Sequence, residues 1–228
     1  MNMNNKVIAL ILSGGNGERF SSERPKQYIE VHGESVLHHT LRAFSGLVDE
    51  LTVACQPKWN AYVTSSCADI TTPLRLAAAG STGFESLCNG IAALADEAPD
   101  TIIMVHDAVR PLVSEAVILD NLDVARRCGN AIAAVETYET LLLAPNGETV
   151  RSMIRREGMF RAQTPQTFTL GTLRQMIEEA RARCVVNAQS ACTLATQLGY
   201  QLHLSKGDLR NFKITLPSDM NLYESLIP

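Results

Sequence analysis

Residues 7–17 read Val-Ile-Ala-Leu-Ile-Leu-Ser-Gly-Gly-Asn-Gly, an apolar run that ends in a glycine-rich turn. Only Lys6 precedes the run as a positive charge, and the run is short, so a buried strand is favoured over a signal peptide. Glycines directly after a strand let the backbone turn sharply and present its N–H groups to an anion. The stretch therefore predicts a first strand with an anion-binding turn at its carboxyl end.

Three further runs, at 51–55, 74–79 and 101–106, are also short and almost continuously apolar. Strands that helices cover on both faces have this composition. Between and after these runs, apolar residues recur at helical spacing, for example at Val36, Leu37, Leu41 and Phe44. Strands that alternate with helices predict an α/β fold with a doubly wound, mostly parallel sheet. A late strand pair, 201–204 and 212–215, is expected before a closing helix.

Residues 136–161 interrupt this alternation of strands and helices. Asn146-Gly147 lies between two extended stretches, and this dipeptide favours a hairpin because both residues tolerate a positive φ. A hairpin within an α/β chain is an insertion. We therefore expect an inserted β-hairpin arm at about 136–161 that contacts another subunit or closes a site.

Length, charge and cysteine content exclude several classes of protein. The 228 residues allow one large domain or two small ones, and because no linker interrupts the sequence we expect a single domain over 1–228. A net charge of −4 with a pI near 5.7 argues against a nucleic-acid partner, and no apolar run approaches the length of a membrane span. Six cysteines without a CxxC pair are typical of core residues in a reducing cytoplasm.

The glycine turn does not match the common nucleotide-binding fingerprints. It lacks the GxxxxGK[ST] pattern of a Walker phosphate loop, and a GxGxxG fingerprint would require glycine at Phe20. Cations do follow it, because Arg19, Arg24 and Lys26 lie close by in the chain. Positive charge beside a glycine turn favours a polyphosphate substrate, since that charge both binds the substrate and stabilises the transition state.

Four motifs in order carry a resemblance to a known family: GGNGERF with RPKQY, then VHDAVRP at 105–111, AQTPQ at 162–166 and NFKIT at 211–215. Together they resemble the cytidylyltransferases that transfer CMP from CTP to small polyol phosphates, and the resemblance runs from about residue 6 to residue 226. It implies a Rossmann-like nucleotidyltransferase fold, a Mg²⁺ cofactor and a homodimer formed by exchange of the arms. The implied acceptor is 2-C-methyl-D-erythritol 4-phosphate, of isoprenoid precursor synthesis, with ribitol 5-phosphate or a related wall or capsule polyol as the alternative.

The resemblance also implies roles for individual residues. The catalytic cations would be Arg19, Lys26 and Lys213, and Asp107 would face the metal. The remaining residues that would bind CTP, besides Asp107 itself, are Leu12, Ser13, Gly14, Gly15, Asn16, Gly17, Gly80 and Ser86. Residues that would contact the polyol phosphate are Arg110, Thr137, Arg156, Thr164 and Ser190.

Two positions depart from the family pattern. Gly83 stands where the family has an arginine, which removes a CTP contact unless another cation such as Arg75 compensates. Ser190 stands where the family has an aspartate that faces the polyol, and Val135-Glu136-Thr137 resembles the ribitol branch. Two further hypotheses stay open on the sequence: a nucleotide-binding relative with weak catalysis, and a nucleotidyltransferase that uses ATP, GTP or UTP with another sugar phosphate.

Overall fold

The computed structural model describes residues 5–15, 20, 24–185 and 188–227. Its strands are β1 Val7–Ser13, β2 Glu30–Val31, β3 Glu34–Ser35, β4 Glu50–Cys55, β5 Leu74–Ala78, β6 Ile102–Asp107, β7 Asn130–Glu136, β8 Leu141–Leu143, β9 Ser152–Ile154, β10 Phe160–Thr169 and β11 Leu204–Lys206. Its helices are α1 Val36–Phe44, α2 Asn60–Ser66, α3 Gly83–Ala92, α4 Glu115–Cys128, α5 Leu170–Ala182, α6 Ala191–Leu198 and α7 Pro217–Leu226.

The central sheet has the strand order β11-β7-β10-β6-β1-β4-β5. Neighbouring strands are parallel except that β10 runs antiparallel to both β6 and β7. The predicted runs at 7–12, 51–55, 74–79 and 101–106 form β1, β4, β5 and β6, which confirms the mostly parallel α/β sheet.

Helices cover both faces of this sheet, and the alternation of side chains along β1 explains how. Ala9 and Ile11 belong to a core under α1, α2 and α4, whereas Ile8 and Leu10 belong to a core under α3, α5 and α6. Because both sets of β1 side chains are buried, the strand is apolar throughout and not alternating. The doubly wound arrangement follows directly from this composition.

The predicted late strand pair is only partly correct. Residues 201–203 are not a strand and β11 begins at Leu204, where it pairs with β7. Residues 212–215 form no strand either. They pass along the loop that follows β6, where the Ile214 N–H group donates a backbone hydrogen bond to the Val109 carbonyl. Apolar and β-branched composition alone could not distinguish this docked segment from a sheet strand.

The predicted hairpin is present as the antiparallel pair β8–β9, but its turn differs from the expectation. Leu141 pairs with Ile154 and Leu143 pairs with Ser152, so the loop spans 144–151 and is longer than a two-residue turn. Of the Asn-Gly pair only Gly147 has a positive φ, at 72°. The Asn146 side chain instead accepts hydrogen bonds from the Glu148 and Thr149 N–H groups, which is how asparagine closes wider turns.

Candidate functional site

A cleft of about 420 Å³ lies at the carboxyl ends of β1, β4, β5 and β6. The chain builds β4 and β5 on one side of β1 and then crosses over to place β6 on the other side. Loops at such a reversal of strand order diverge to opposite faces of the sheet and leave a crevice, where α/β proteins bind their ligands. The topology therefore selects this edge of the sheet as the candidate site.

One side of the cleft, residues 12–15 and 80–86, presents backbone and hydroxyl groups and is called the glycine wall below. A side chain on Gly14 would place its Cβ 2.5 Å from the Ala79 Cβ, and one on Gly80 would place it 2.1 Å from the Glu85 Cβ. Glycine is thus required at both positions by close approach of neighbouring chain. The residues of these segments that line the cleft carry no charged side chain, so this surface offers backbone and hydroxyl groups.

Two side chains hold the glycine wall in place. The Gln27 Nε2 group donates hydrogen bonds to the carbonyls of Ser13 and Gly15, at 2.9 and 2.8 Å. The buried Ser86 hydroxyl accepts from Gly80 N–H at 3.0 Å and donates to the Thr82 carbonyl at 2.9 Å. Ser86 therefore fixes the loop that precedes α3, in addition to the CTP contact that the resemblance implies for it.

Three charged residues, Asp107, Arg110 and Lys213, form a second group at the cleft, which we call the charged wall. Asp107 and Lys213 line the cleft, and Arg110 pairs with Asp107. Asp107 ends β6, and its Oδ1 accepts from Lys213 Nζ at 3.0 Å while its Oδ2 accepts from Arg110 Nε at 3.1 Å. Burial alone would raise the pKa of the Asp107 carboxyl, but the charges of Lys213 and Arg110 outweigh burial and lower that pKa to about 2. Asp107 is accordingly an anion at neutral pH, matched by two cations.

A buried network lies directly behind the charged wall. Thr164 Oγ1 accepts from Asp107 N–H at 3.1 Å and lies 2.9 Å from His106 Nδ1, and His106 Nε2 lies 3.2 Å from the Arg110 carbonyl. His106 is fully buried, as the sequence predicts for a strand residue, and its ring also packs against Phe44. Burial lowers the pKa of His106 to about 4, so the imidazole is neutral at physiological pH.

The structure brings most of the predicted CTP and catalytic residues together. Nine of them line the cleft: Leu12, Ser13, Gly14, Gly15, Lys26, Gly80, Ser86, Asp107 and Lys213. Arg19, Asn16 and Gly17 lie outside the described residues.

The predicted acceptor residues are dispersed around the cleft rather than along its lining. Arg110 reaches the site through Asp107, and the Thr164 side chain is buried behind it. Thr137 is buried at the base of the arm, where its N–H bonds the Met159 carbonyl. Arg156 lies on the arm and donates to the Tyr138 carbonyl at 2.6 Å. Ser190 is the N-cap of α6 and accepts from Thr193 N–H at 3.2 Å.

Two cations that the sequence suggested for the site lie elsewhere. Arg24 stacks over the Tyr62 ring with 4.4 Å between guanidinium carbon and ring centroid, and it pairs with Glu30. Arg75 lies near the start of β5, at the far end of the sheet, where it pairs with Glu50 and other carboxylates. Arg75 therefore does not compensate for the arginine that Gly83 replaces.

Several residues that line the cleft were not singled out from the sequence: Gln27, Gln56, Ser81, Thr82, Ala108, Val109 and Gln189. Gln27 belongs to the RPKQY motif, and its position in that motif could have identified it as a residue of the site. Gln189 reaches the cleft across a wide separation in sequence and lies beside Gly83, where an added Cβ would be 3.7 Å from the Gln189 carbonyl oxygen. Among the described residues, a Cβ at position 83 would therefore meet only an ordinary van der Waals contact.

The fold and the cleft together define an α/β protein with a candidate ligand cleft where the strand order of a mostly parallel sheet reverses. The chain matches the family model of 2-C-methyl-D-erythritol 4-phosphate cytidylyltransferase, IspD, over residues 7–228. It therefore belongs to that family of cytidylyltransferases.

Individual relatives carry two different names. The chain is 33% identical to the 2-C-methyl-D-erythritol 4-phosphate cytidylyltransferase of Geotalea uraniireducens, covering 97% of each chain. It is 31% identical to the ribitol-5-phosphate cytidylyltransferase of Vibrio parahaemolyticus, covering 96% of this chain and 95% of the relative. Its fold is similar to the crystal structure of the 2-C-methyl-D-erythritol 4-phosphate cytidylyltransferase from Thermus thermophilus, with a TM-score of 0.79 and 30% identity over 97% of this chain and 98% of that one.

Proposed function

We propose that this enzyme transfers CMP from CTP to a small polyol phosphate and releases pyrophosphate. The observation that carries the proposal is that the uncharged lining of the glycine wall and the charged wall occur in one cleft. The glycine wall suits a nucleoside triphosphate because it offers backbone groups at close range. The charged wall places Lys213 and Arg110 where negative charge would accumulate as two phosphates react.

The chemistry requires charge neutralisation more than it requires a base. The second pKa of a phosphomonoester is about 6, so the acceptor phosphate is already largely a dianion near pH 7. Its oxygen attacks the α-phosphorus of CTP, and the α–β bridging oxygen leaves with pyrophosphate. What the protein supplies is in-line placement and cations near the reacting phosphates. Lys26 at the rim of the cleft and Lys213 within the charged wall are the described candidates for that role.

A magnesium ion is part of this proposal, with Asp107 as its protein ligand. The carboxylate lines the cleft and is 20% exposed. Within the described residues there is no cluster of three or more metal-ligating side chains, and Mg²⁺ is well served by one carboxylate together with phosphate oxygens and water. When bound, the ion would neutralise phosphate charge. Lys213 and Arg110 would continue to orient the carboxylate beside it.

Methylerythritol 4-phosphate is the first acceptor that we propose, and ribitol 5-phosphate is the second. Position 190 favours the second candidate, because Ser190 offers a neutral hydroxyl where the family has a carboxylate for the polyol. Aspartate and serine are comparably good N-caps, so Ser190→Asp keeps the start of α6 while it adds the charge. This variant therefore tests acceptor choice without a change of fold.

The deciding experiment measures pyrophosphate release with CTP and each of the two polyol phosphates, in the wild type and in Ser190→Asp. ATP, GTP and UTP serve as nucleotide controls. If CTP gave no pyrophosphate release with either polyol phosphate, both candidate acceptors would be contradicted. Preference for another nucleotide would contradict the cytidylyl assignment. A higher kcat/KM for methylerythritol 4-phosphate in Ser190→Asp than in the wild type would identify position 190 as a determinant of acceptor choice.

We also propose that the chain forms a homodimer through the β8–β9 arm. Leu142 and Met153 pair across the hairpin and are 57% and 65% exposed, more apolar surface than an isolated hairpin stabilises in water. Arg156 on the same arm would then approach the acceptor site of the second copy. Sedimentation at micromolar concentration should give twice the 24.9 kDa chain mass, and Met153→Glu should give the single-chain mass. A wild-type monomer under these conditions would refute the dimer.

The compartment that we propose is the cytoplasm, where reducing conditions keep thiols free. Its support is that all six cysteines are free thiols, including the buried Cys55 and Cys67. Among the described residues no helix has the length and apolarity needed to cross a membrane.

A further inference from the structure

Thr164 is bonded to the charged wall on two sides, yet its side chain does not line the cleft. It lies where the pairing of β10 with β7 shifts register, between Ala162 and Gln166. Its hydroxyl accepts from Asp107 N–H at 3.1 Å, and its carbonyl accepts from the buried Asn211 Nδ2 at 2.8 Å. Both of these partners lead back to the charged wall.

The hydroxyl side continues through His106. The Arg110 carbonyl can only accept, so the His106 Nε2 that lies 3.2 Å from it carries the proton. In a neutral imidazole Nδ1 is then an acceptor, and the Thr164 hydroxyl donates to it at 2.9 Å. The direction of every hydrogen bond is thereby fixed: Asp107 N–H to Thr164, Thr164 to His106, and His106 to the Arg110 carbonyl.

The carbonyl side reaches the same arginine through Asn211. Asn211 is completely buried, and its backbone carbonyl accepts from Arg110 Nη1 at 2.7 Å. Arg110 is therefore held at its backbone by His106 and at its guanidinium by Asn211, while both of these residues bond to Thr164. The turn at 107–110 is closed by a further hydrogen bond from Arg110 N–H to the Asp107 carbonyl, at 3.2 Å.

We propose that Thr164 and His106 are positioning residues, whose hydrogen-bonded relay fixes the backbone of residues 107–110 and so aims the Asp107 carboxylate into the cleft and holds the Arg110 guanidinium against that carboxylate. This assigns Thr164 a role through Asp107 rather than through direct contact with the polyol phosphate. The inference rests on the proposed function of Asp107 and Arg110. Displacement of reacting groups by about 1 Å is enough to cost on the order of a hundredfold in rate.

The first test compares Thr164→Val with Thr164→Ser. Valine keeps the shape but leaves Asp107 N–H and His106 Nδ1 without their partner, whereas serine keeps the hydroxyl. We expect kcat to fall at least about tenfold in Thr164→Val and to stay within about threefold of the wild type in Thr164→Ser. The dissociation constant for CTP should change less than about threefold in both, because the glycine wall is untouched.

Three outcomes would overturn the proposal. An unchanged kcat in Thr164→Val would show that the relay does not position the reacting groups. An equal loss in Thr164→Ser would assign the effect to packing of the methyl group. A raised acceptor KM with kcat preserved would assign Thr164 to direct substrate contact.

A second measurement does not depend on activity or on the stability of a variant. Nitrogen NMR of the histidine side chains in the wild type should find His106 protonated at Nε2 only, with Nδ1 accepting a hydrogen bond. The opposite tautomer would overturn the relay. Asp107→Asn distinguishes failure of the proposed function from failure of the relay. Full activity of Asp107→Asn would contradict the proposed function. If Asp107→Asn were inactive while Thr164→Val kept full activity, only the relay would be contradicted.

Discussion

The two walls of the cleft differ in how far apart in sequence their residues lie and in the groups that they present. The glycine wall consists of short contiguous segments, 12–15 and 80–86, whose glycines and hydroxyls are held by nearby hydrogen bonds. The charged wall joins Asp107 and Arg110 to Lys213, about a hundred positions further along the chain. Each segment of the glycine wall is therefore recognisable in local sequence, although only the fold brings Gly14 next to Ala79, whereas no single segment contains the charged wall. This difference predicts that the walls respond differently to mutation and to pH.

The largest expected effect is a loss of kcat when Lys26, a cation that is not part of the glycine wall, is removed. Lys26 lies at the rim of the cleft, in the segment whose Gln27 holds the glycine turn. Removing one group that stabilises transition-state charge typically costs about 10²–10³ in kcat, and we expect this loss in Lys26→Ala. Arg24→Ala is the matched control, since Arg24 stacks on Tyr62 outside the cleft and its loss should change kcat less than about threefold. Near-normal turnover in Lys26→Ala would contradict the role of Lys26.

Acid stability should reveal the histidine behind the charged wall. Burial lowers the pKa of His106 to about 4, whereas an unfolded histidine has a pKa near 6.5, so the unfolded chain binds the proton first as pH falls. Folding should lose about 3 kcal/mol from this group as pH drops from 6.5 towards 4. Urea denaturation at a series of pH values measures the free energy of unfolding. Between pH 6.5 and 4 this free energy should fall less steeply with pH in His106→Gln than in the wild type. An equal pH dependence in the two proteins would show that His106 does not titrate as proposed.

A smaller effect, in a lower pH window, is expected for Asp107. The cations of the charged wall hold the pKa of Asp107 at about 2, below the value of 3.8 for a free aspartate, so the ionised carboxylate stabilises the fold above pH 3.8. This contribution, about 2 kcal/mol, is lost as pH falls from 3.8 towards 2. Asp107→Asn should therefore be less stable than the wild type at pH 7 and nearly equal to it near pH 2. A constant difference across that range would contradict the ion-pair account.

The smallest expected effect concerns Gly83, which begins α3 and lines the cleft. Within the described part of the chain, only the Gln189 carbonyl would contact an added Cβ. Gly83→Arg restores the cation of the family pattern and should lower the KM for CTP severalfold, since a charged hydrogen bond is worth roughly 1.5–3 kcal/mol before the cost of ordering the side chain. Gly83→Gln adds length without charge and serves as the control. Equal KM values in the two variants would show that the arginine position makes no contact with the triphosphate.

The sequence by itself determined the parallel sheet, the glycine turn and the hairpin, because each depends on neighbours in the chain. Apolar runs at 7–12 and 101–106 indicate strands buried on both faces, and glycine next to a strand indicates a backbone that something approaches closely. The motif residues of the cleft were recognisable through the resemblance to the cytidylyltransferase family that four motifs in order carry.

Only the tertiary structure decided which polar groups meet. Arg75 and Arg24 were plausible site cations from the sequence, but folding pairs them with Glu50 and with Tyr62, away from the cleft. Residues 212–215 resemble a strand locally, yet they dock beside Asp107 so that Lys213 can reach it. A hydrogen bond or ion pair depends on distance in space, and local composition and periodicity contain no information on distances between segments a hundred residues apart.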